Sequence, residues 1–202
     1  MDVNPLEIAA AAFTLVCVVL AVHRSLWQFP FGVIGTGLSF LMFMGGNLYS
    51  SAILQVFFLA VQFYGWWYWL KGDKGGRPLI RMAGTRTVAN LCAVAIALAI
   101  PLGLAFDTWT AAQNPMLDAA IFTLSVVAQF LLDRKRIENW PIWVVINVVS
   151  VYVYASQHYW IYAGLYVFFF FNAFWGWWEW RKEMRGYAAT PTASPAEGKG
   201  AA

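Results

Sequence analysis

The stretch Phe63-Tyr64-Gly65-Trp66-Trp67-Tyr68-Trp69 returns 111 positions later as Phe174-Trp175-Gly176-Trp177-Trp178-Glu179-Trp180. Worked outward, the match runs without a gap from residues 6–71 to residues 117–182, with 18 identities in 66 aligned positions. Leu6/Leu117, Pro30/Pro141, Ser39/Ser150, Phe57/Phe168 and Lys71/Lys182 are identical, while Glu7/Asp118, Thr14/Ser125 and Arg24/Lys135 are near-identical. A repeat this long and this apolar points to a membrane protein with two related halves. In such proteins the interface between repeats is the expected place for a substrate site.

The composition agrees. The 202 residues are 61% hydrophobic, 18% aromatic and 11% charged, against about 25% charged in a soluble domain. Polar surface is too scarce to cover so large a core in water, and the apolar runs are long enough to cross a bilayer. No run of Lys and Arg is dense enough to bind nucleic acid. Cys17 and Cys92 lie inside apolar runs and read as small buried hydrophobes rather than as a disulfide or metal site. Asp2 and Glu7 precede any Lys or Arg, so residues 6–23 read as a retained first span and not as a signal peptide.

The pattern predicts an all-α integral membrane protein of seven spans, near 6–23, 29–46, 49–71, 87–106, 116–133, 139–157 and 159–182. Pro30 and Pro141 fall in the first turns of the second and sixth spans, where a missing N–H is harmless. With seven spans, all 13 Lys and Arg residues fall on one side of the membrane. The positive-inside rule makes that side cytoplasmic, with the N-terminus outside. Repeats beginning at spans one and five are four crossings apart and run in the same direction. The plan is therefore two parallel three-helix bundles joined by a linker helix, 3+1+3. Residues 1–71 form the N-terminal bundle, 72–110 a basic loop and the linker helix, and 111–185 the C-terminal bundle. Residues 186–202, rich in Ala, Pro, Thr and Gly, are expected to be a disordered cytoplasmic tail.

The 3+1+3 plan is that of SWEET-type sugar transporters, but the residues resemble the bacterial PnuC family of vitamin transporters. The resemblance is carried by Gln129-Phe130-Leu131-Leu132-Asp133-Arg134-Lys135-Arg136, by Glu138-Asn139-Trp140-Pro141-Ile142-Trp143, by Asn147 and Leu165-Tyr166, and by Gly176-Trp177 with Trp180-Arg181-Lys182. It implies a carrier of nicotinamide riboside, with thiamine (the PnuT-like relatives) as the alternative and riboflavin within range. It also implies facilitated diffusion in the inner membrane, trapping of the vitamin by a cytoplasmic kinase, and a homo-oligomer, a trimer in the family.

Polar residues present in only one half need an explanation beyond the shared scaffold. Gln129 stands opposite Val18, Asn172 opposite Val61 and Asn147 opposite Thr36; Gln62, opposite Ala173, is the main exception in the first half. Polar groups inside a membrane are costly and turn toward the bundle interior. Trp140, Trp143, Asn147, Ser150 and Tyr154 share one face of the sixth span. Phe122, Ser125 and Gln129 share one on the fifth, and Phe168, Asn172, Trp175 and Glu179 one on the seventh. Three such faces brought together make an aromatic box with amide groups. The substrate-binding candidates are thus Gln62, Gln129, Trp140, Trp143, Asn147, Tyr154, Asn172 and Trp175. The bland alternative treats the amides as interhelical bonds worth about 0.6–2 kcal/mol each, and most of the aromatics as packing. Nicotinamide riboside and thiamine both carry a delocalised cationic ring, which aromatic faces attract by about 0.5–2 kcal/mol. No Asp or Glu lies near the middle of a span, so this reading needs no buried counter-ion and disfavours proton coupling.

Other classes fit less well. His23 and His158 fall at opposite sides of the membrane and cannot share one haem, which weakens a redox reading. Asp107 and Asp118 in an outside loop are weak grounds for an enzyme, and Asp73-Lys74-Gly75-Gly76 lacks the spacing of a phosphate loop. No metal or cofactor is expected. A membrane scaffold would not need amides in one half only.

Overall fold

A computed structural model describes residues 5–45, 49–71, 79–109, 114–156, 158 and 160–189. Among them are seven helices: α1 Pro5–Val22, α2 Gln28–Gly45, α3 Tyr49–Lys71, α4 Thr85–Trp109, α5 Pro115–Asp133, α6 Asn139–Ser156 and α7 Trp160–Ala189. The sequence pattern anticipates each of them, mostly within a residue or two. α7 runs past the expected end of its span, because Lys182-Glu183-Met184-Arg185 are good helix formers. Glu183 is also held there by an ion pair to Arg24 in the turn after α1. Residues 186–189, expected in the tail, therefore belong to this helix; residues 190–202 and the loop 72–78 lie outside the described residues. Among the described residues α2, α4 and α5 are each long and apolar enough to cross a membrane by length and composition alone. α3 and α7 have the length, and their Trp and Tyr residues suit the interface.

The packing is a closed ring. α1 packs on α2, α2 on α3, α3 on α5, α5 on α6, α6 on α7 and α7 back on α1. Among the described residues α1 does not pack on α5, nor α2 on α6, nor α3 on α7. The linker helix α4 lies outside the ring against α5. There Gly103 faces Met116, and Leu91 and Cys92 join a cluster with Ala128, Leu131 and Ile146. Ile96, Ile100 and Leu104 of α4 stay more than half exposed, as suits a lipid-facing surface.

The two halves repeat each other down to single bonds. α1 and α5 end alike: Arg24 N–H donates to Ala21 O and Ser25 N–H to Leu20 O, as Lys135 N–H does to Leu132 O and Arg136 N–H to Leu131 O. Arg24 (φ 53°) and Lys135 (φ 50°) take the left-handed conformation that this helix stop requires. The pattern leaves the carbonyls of Val22 and Asp133 without helical partners. Each receives an indole from the other half: Trp180 Nε1–H donates to Val22 O (3.1 Å) and Trp69 Nε1–H to Asp133 O (2.8 Å). One bond ties α7 to α1, the other α3 to α5. These are the two seams of the ring.

Around these bonds lies the main core, at the end of the ring that carries the basic loops. Val22, Phe29, Trp69, Trp140 and Trp180 are each at most 3% exposed. Phe29 meets Trp69 edge to face at 5.3 Å, and its repeat partner Trp140 meets Trp180 at 5.3 Å. This aromatic layer closes the ring at that end. Two glycines let it form: a Cβ on Gly176 would strike the Trp140 ring, and one on Gly65 would strike the Asp133 carboxyl and Phe29.

Residues 79–84 dock on the turn between α5 and α6 rather than standing clear of it. Arg81 N–H donates to Lys135 O, Ile137 N–H to Arg81 O (both 3.1 Å), and Ile80 is buried. The Glu138 carboxylate accepts from Ala83 N–H (2.9 Å) and Gly84 N–H (3.2 Å), placing negative charge at the positive end of α4. Much of the basic charge on this side is therefore held in place by hydrogen bonds.

Gly176→Ala drives a methyl group into a Trp140 ring that has nowhere to go, at a cost of about 1–3 kcal/mol for overpacking. Thermal unfolding in detergent is expected to show a clear loss of stability for Gly176→Ala and none for Gly164→Ala, where nothing lies within 4 Å.

Candidate substrate site

The polar residues inside the ring come from a band about one to three turns from the aromatic layer. On the first half, Gln62 of α3 donates from Nε2 to Thr36 Oγ1 of α2 (2.7 Å). Its carboxamide lies over Gly32, next to Cys17 of α1. A side chain larger than hydrogen at Gly32 would displace it. Cys17 is a free thiol and fills space here, as its apolar run predicts.

On the second half, Asn172 of α7 donates from Nδ2 to Val18 O of α1 (3.3 Å), while its buried Oδ1 has no partner. That bond crosses the same seam as the Trp180 indole. Asn147 of α6 is 3% exposed; Ser150, one turn on, is fully buried with its Oγ unpartnered. The predicted inner face of the sixth span is therefore the buried face of α6. Gln129 of α5 donates from Nε2 to Asp133 Oδ1 (3.0 Å).

The other candidates occupy three different settings. Trp140 is part of the aromatic layer, packed against Gly176 and Trp180, and its Nε1–H is buried without a partner. Trp143 of α6, partly buried, packs against both hydrophobic clusters. Trp175 is 39% exposed and meets His23 edge to face at 5.1 Å, at the joint between α1 and α7. Tyr154 is stacked on Tyr166 at 5.1 Å toward the end remote from the basic loops. The amides and α6 polar residues thus stand at similar heights along their own helices, with Trp143 one turn before Asn147 on α6. Trp140 lies deeper in the closing layer and Tyr154 lies toward the opposite end. Among the described residues no cluster of His, Cys, Asp and Glu is placed to hold a metal.

Sequence reasoning overlooked Asp133. It ends α5 and is followed by Arg134-Lys135-Arg136, so it reads as part of a solvated basic turn. In the fold its carboxyl turns inward and is 0% exposed. The sequence reading found no Asp or Glu near the middle of a span and called for no buried counter-ion; Asp133 stands at the end of α5 and is buried all the same. The signal was present: Asp133 stands opposite Val22 in the repeat, the same one-half-only pattern that singled out Gln129 and Asn172. Thr36 was set aside as the shared-position partner of Asn147, and its bond to Gln62 needs the packing of α2 on α3 to be seen.

Comparison with known proteins places the chain. The family described as nicotinamide mononucleotide transporter matches residues 4–182. The chain belongs to that family, the PnuC family of membrane transporters. It is 30% identical over 182 residues to the nicotinamide riboside transporter PnuC of Escherichia coli (strain K12), an alignment covering 77% of this chain and 76% of the relative. It is 29% identical over 170 residues to the riboflavin/roseoflavin transporter RibM of Streptomyces davaonensis, covering 82% and 79%. A crystal structure of the vitamin B3 transporter PnuC has the same fold, with a TM-score of 0.71 at 22% identity over 90% of this chain and 82% of that one. The family and these relatives are transporters, not enzymes.

Gly32→Ala offers a mild probe of Gln62, because the new methyl group meets the far end of a flexible side chain and not backbone. It is expected to fold with near-normal yield while breaking the Gln62–Thr36 bond. Substrate affinity measured on the purified variant should fall about three- to tenfold, the loss of one buried hydrogen bond. Unchanged affinity would place Gln62 outside the site.

Proposed function

We propose that the chain carries a B-vitamin with a cationic ring, nicotinamide riboside above all, across the bacterial inner membrane by facilitated diffusion. The observation that supports this most is the band of amides inside the ring, set one layer from a closed aromatic end. The ring keeps the backbones of opposite helices apart, and Gln62, Gln129, Asn147 and Asn172 supply donors and acceptors at that depth. The buried Asn172 Oδ1 has no protein partner and is suited to a ligand N–H or O–H. Trp143 lies next to the band and can face a flat ring.

Relatives that match most of this chain carry names for nicotinamide riboside and for riboflavin. A cation held by aromatic faces and amides is bound weakly enough to be released, which facilitated diffusion requires. Trapping then falls to a cytoplasmic kinase that adds a phosphate. On this reading the basic loops and α7's outer end face the cytoplasm, in line with the positive-inside rule. The layer around Trp69 and Trp180 is then a cytoplasmic gate, shut in this conformation. By resemblance to the family, the working form is a homo-trimer.

Titration of the purified protein by quenching of its Trp fluorescence is the direct test. Nicotinamide riboside is expected to saturate at lower concentration than thiamine or riboflavin; tighter binding of either competitor overturns the assignment. Asn172→Ala and Gln129→Ala should each weaken binding about tenfold through loss of a buried hydrogen bond, and affinity unchanged in both would remove them from the site.

A further inference from the structure

The Asp133 carboxyl is engaged at one oxygen only. Oδ1 accepts the Gln129 amide, whereas Oδ2 is buried without a partner. Its surroundings come from three helices. A Cβ built on Gly65 of α3 would lie 2.5 Å from Asp133 Oδ1 and 2.9 Å from Phe29 Cε1 of α2. Because α5 does not pack on α2, Asp133 and Phe29 meet over Gly65 and not along a helix pair of their own.

Of the neighbouring cations, Arg134 donates from Nε to Tyr64 Oη (2.6 Å) and lies over the Tyr68 ring, and Lys135 Nζ sits 4.1 Å above the Trp69 ring. A carboxylate taken out of water costs several kcal/mol unless a cation or several hydrogen bonds meet it. Here the Gln129 amide meets one oxygen, and the other is buried without a partner.

We propose that Asp133 forms a charge-selecting subsite, whose open oxygen receives the cationic ring of the substrate between the amide band and the aromatic layer. This rests on the reading of a cationic vitamin given under Proposed function. Aromatic faces and amides accept a neutral ring of the same shape almost as well as a charged one. A lone carboxylate at low dielectric does not, because its attraction depends on the full charge. Its bond to Gln129 fixes the amide as well, leaving the Gln129 carbonyl oxygen for the ligand. The Asp133 backbone carbonyl also holds Trp69, so the subsite sits directly on one seam of the ring.

Nicotinamide riboside and its dihydro form, a neutral molecule of nearly the same shape, separate charge from fit. Both are titrated against the wild type, Asp133→Asn and Asp133→Glu. The wild type is expected to prefer the cation by about tenfold or more, the size expected for a hydrogen bond to a charged group. In Asp133→Asn that ratio should fall toward one, mainly by loss of cation affinity. Asp133→Glu keeps the charge and should keep the ratio even if crowding against Gly65 lowers both affinities; if the Asn variant folds poorly, Asp133→Val, which copies Val22 at the matching position of the first half, should lose the ratio instead. Equal losses for both probes in Asp133→Asn, or an unchanged ratio, would overturn the subsite and leave a packing residue. A wild type that binds both forms equally removes the subsite but not the vitamin reading. A wild type that binds neither form removes that reading, and this subsite with it.

Discussion

Two hydrogen bonds, each from an indole to a helix-end carbonyl, hold the ring closed. α1 and α5 stop with the same left-handed residue and the same pair of turn bonds, and that stop leaves the carbonyls of Val22 and Asp133 without a partner. An orphan carbonyl in an apolar setting costs about 1–3 kcal/mol if unmet. Trp180 and Trp69 meet them from the opposite half. Because each donor belongs to the repeat that does not own the carbonyl, neither three-helix bundle can satisfy its own ends. The pairing of the halves follows from that need. So do the small residues at 65 and 176, which let Asp133 and Trp140 come up against α3 and α7.

The symmetric frame makes the asymmetric residues informative. Val18, Val61 and Val22 in the first half are replaced by Gln129, Asn172 and Asp133 in the second. α1 and α5 share their helix-end geometry with Val22 in one and Asp133 in the other, so the frame does not call for the carboxyl. Two of the three are also underused by the protein: Asn172 Oδ1 and Asp133 Oδ2 are buried and unpartnered. A scaffold would gain stability from Val at each position. On the proposed reading, a ligand is what their placement inside the ring serves.

The helices and their order were legible in the sequence because they depend on local signals: apolar run length, prolines in first turns, and a repeat strong enough to align without gaps. The inner face of α6 was legible too, since Trp140, Asn147 and Ser150 follow helical spacing and are all buried. What was not legible depends on contacts between distant parts of the chain. Nothing in the spacing of Trp69 and Trp180 says that each reaches a carbonyl in the other half. Asp133 was not singled out, because the three cations after it dominate the local composition, and its burial shows only in the fold. Residues 79–84 read as free loop because their partner, Glu138, lies about fifty residues on in the chain.

The placement of the seams limits how such a ring can open. Trp69 binds α5 and Trp180 binds α1, so a rocking of one bundle against the other loads both bonds, and neither is spared by the choice of bundle that moves. Each bond is worth only about 1 kcal/mol net, which is small enough to break on the timescale of a carrier. The aromatic packing around them is the larger barrier, since Phe29, Trp140 and their edge-to-face partners lose buried area when the layer parts. A flat ring arriving in the amide band can replace part of that lost contact with its own faces. On the proposed reading the ligand therefore lowers the cost of opening the layer, and an empty ring stays shut.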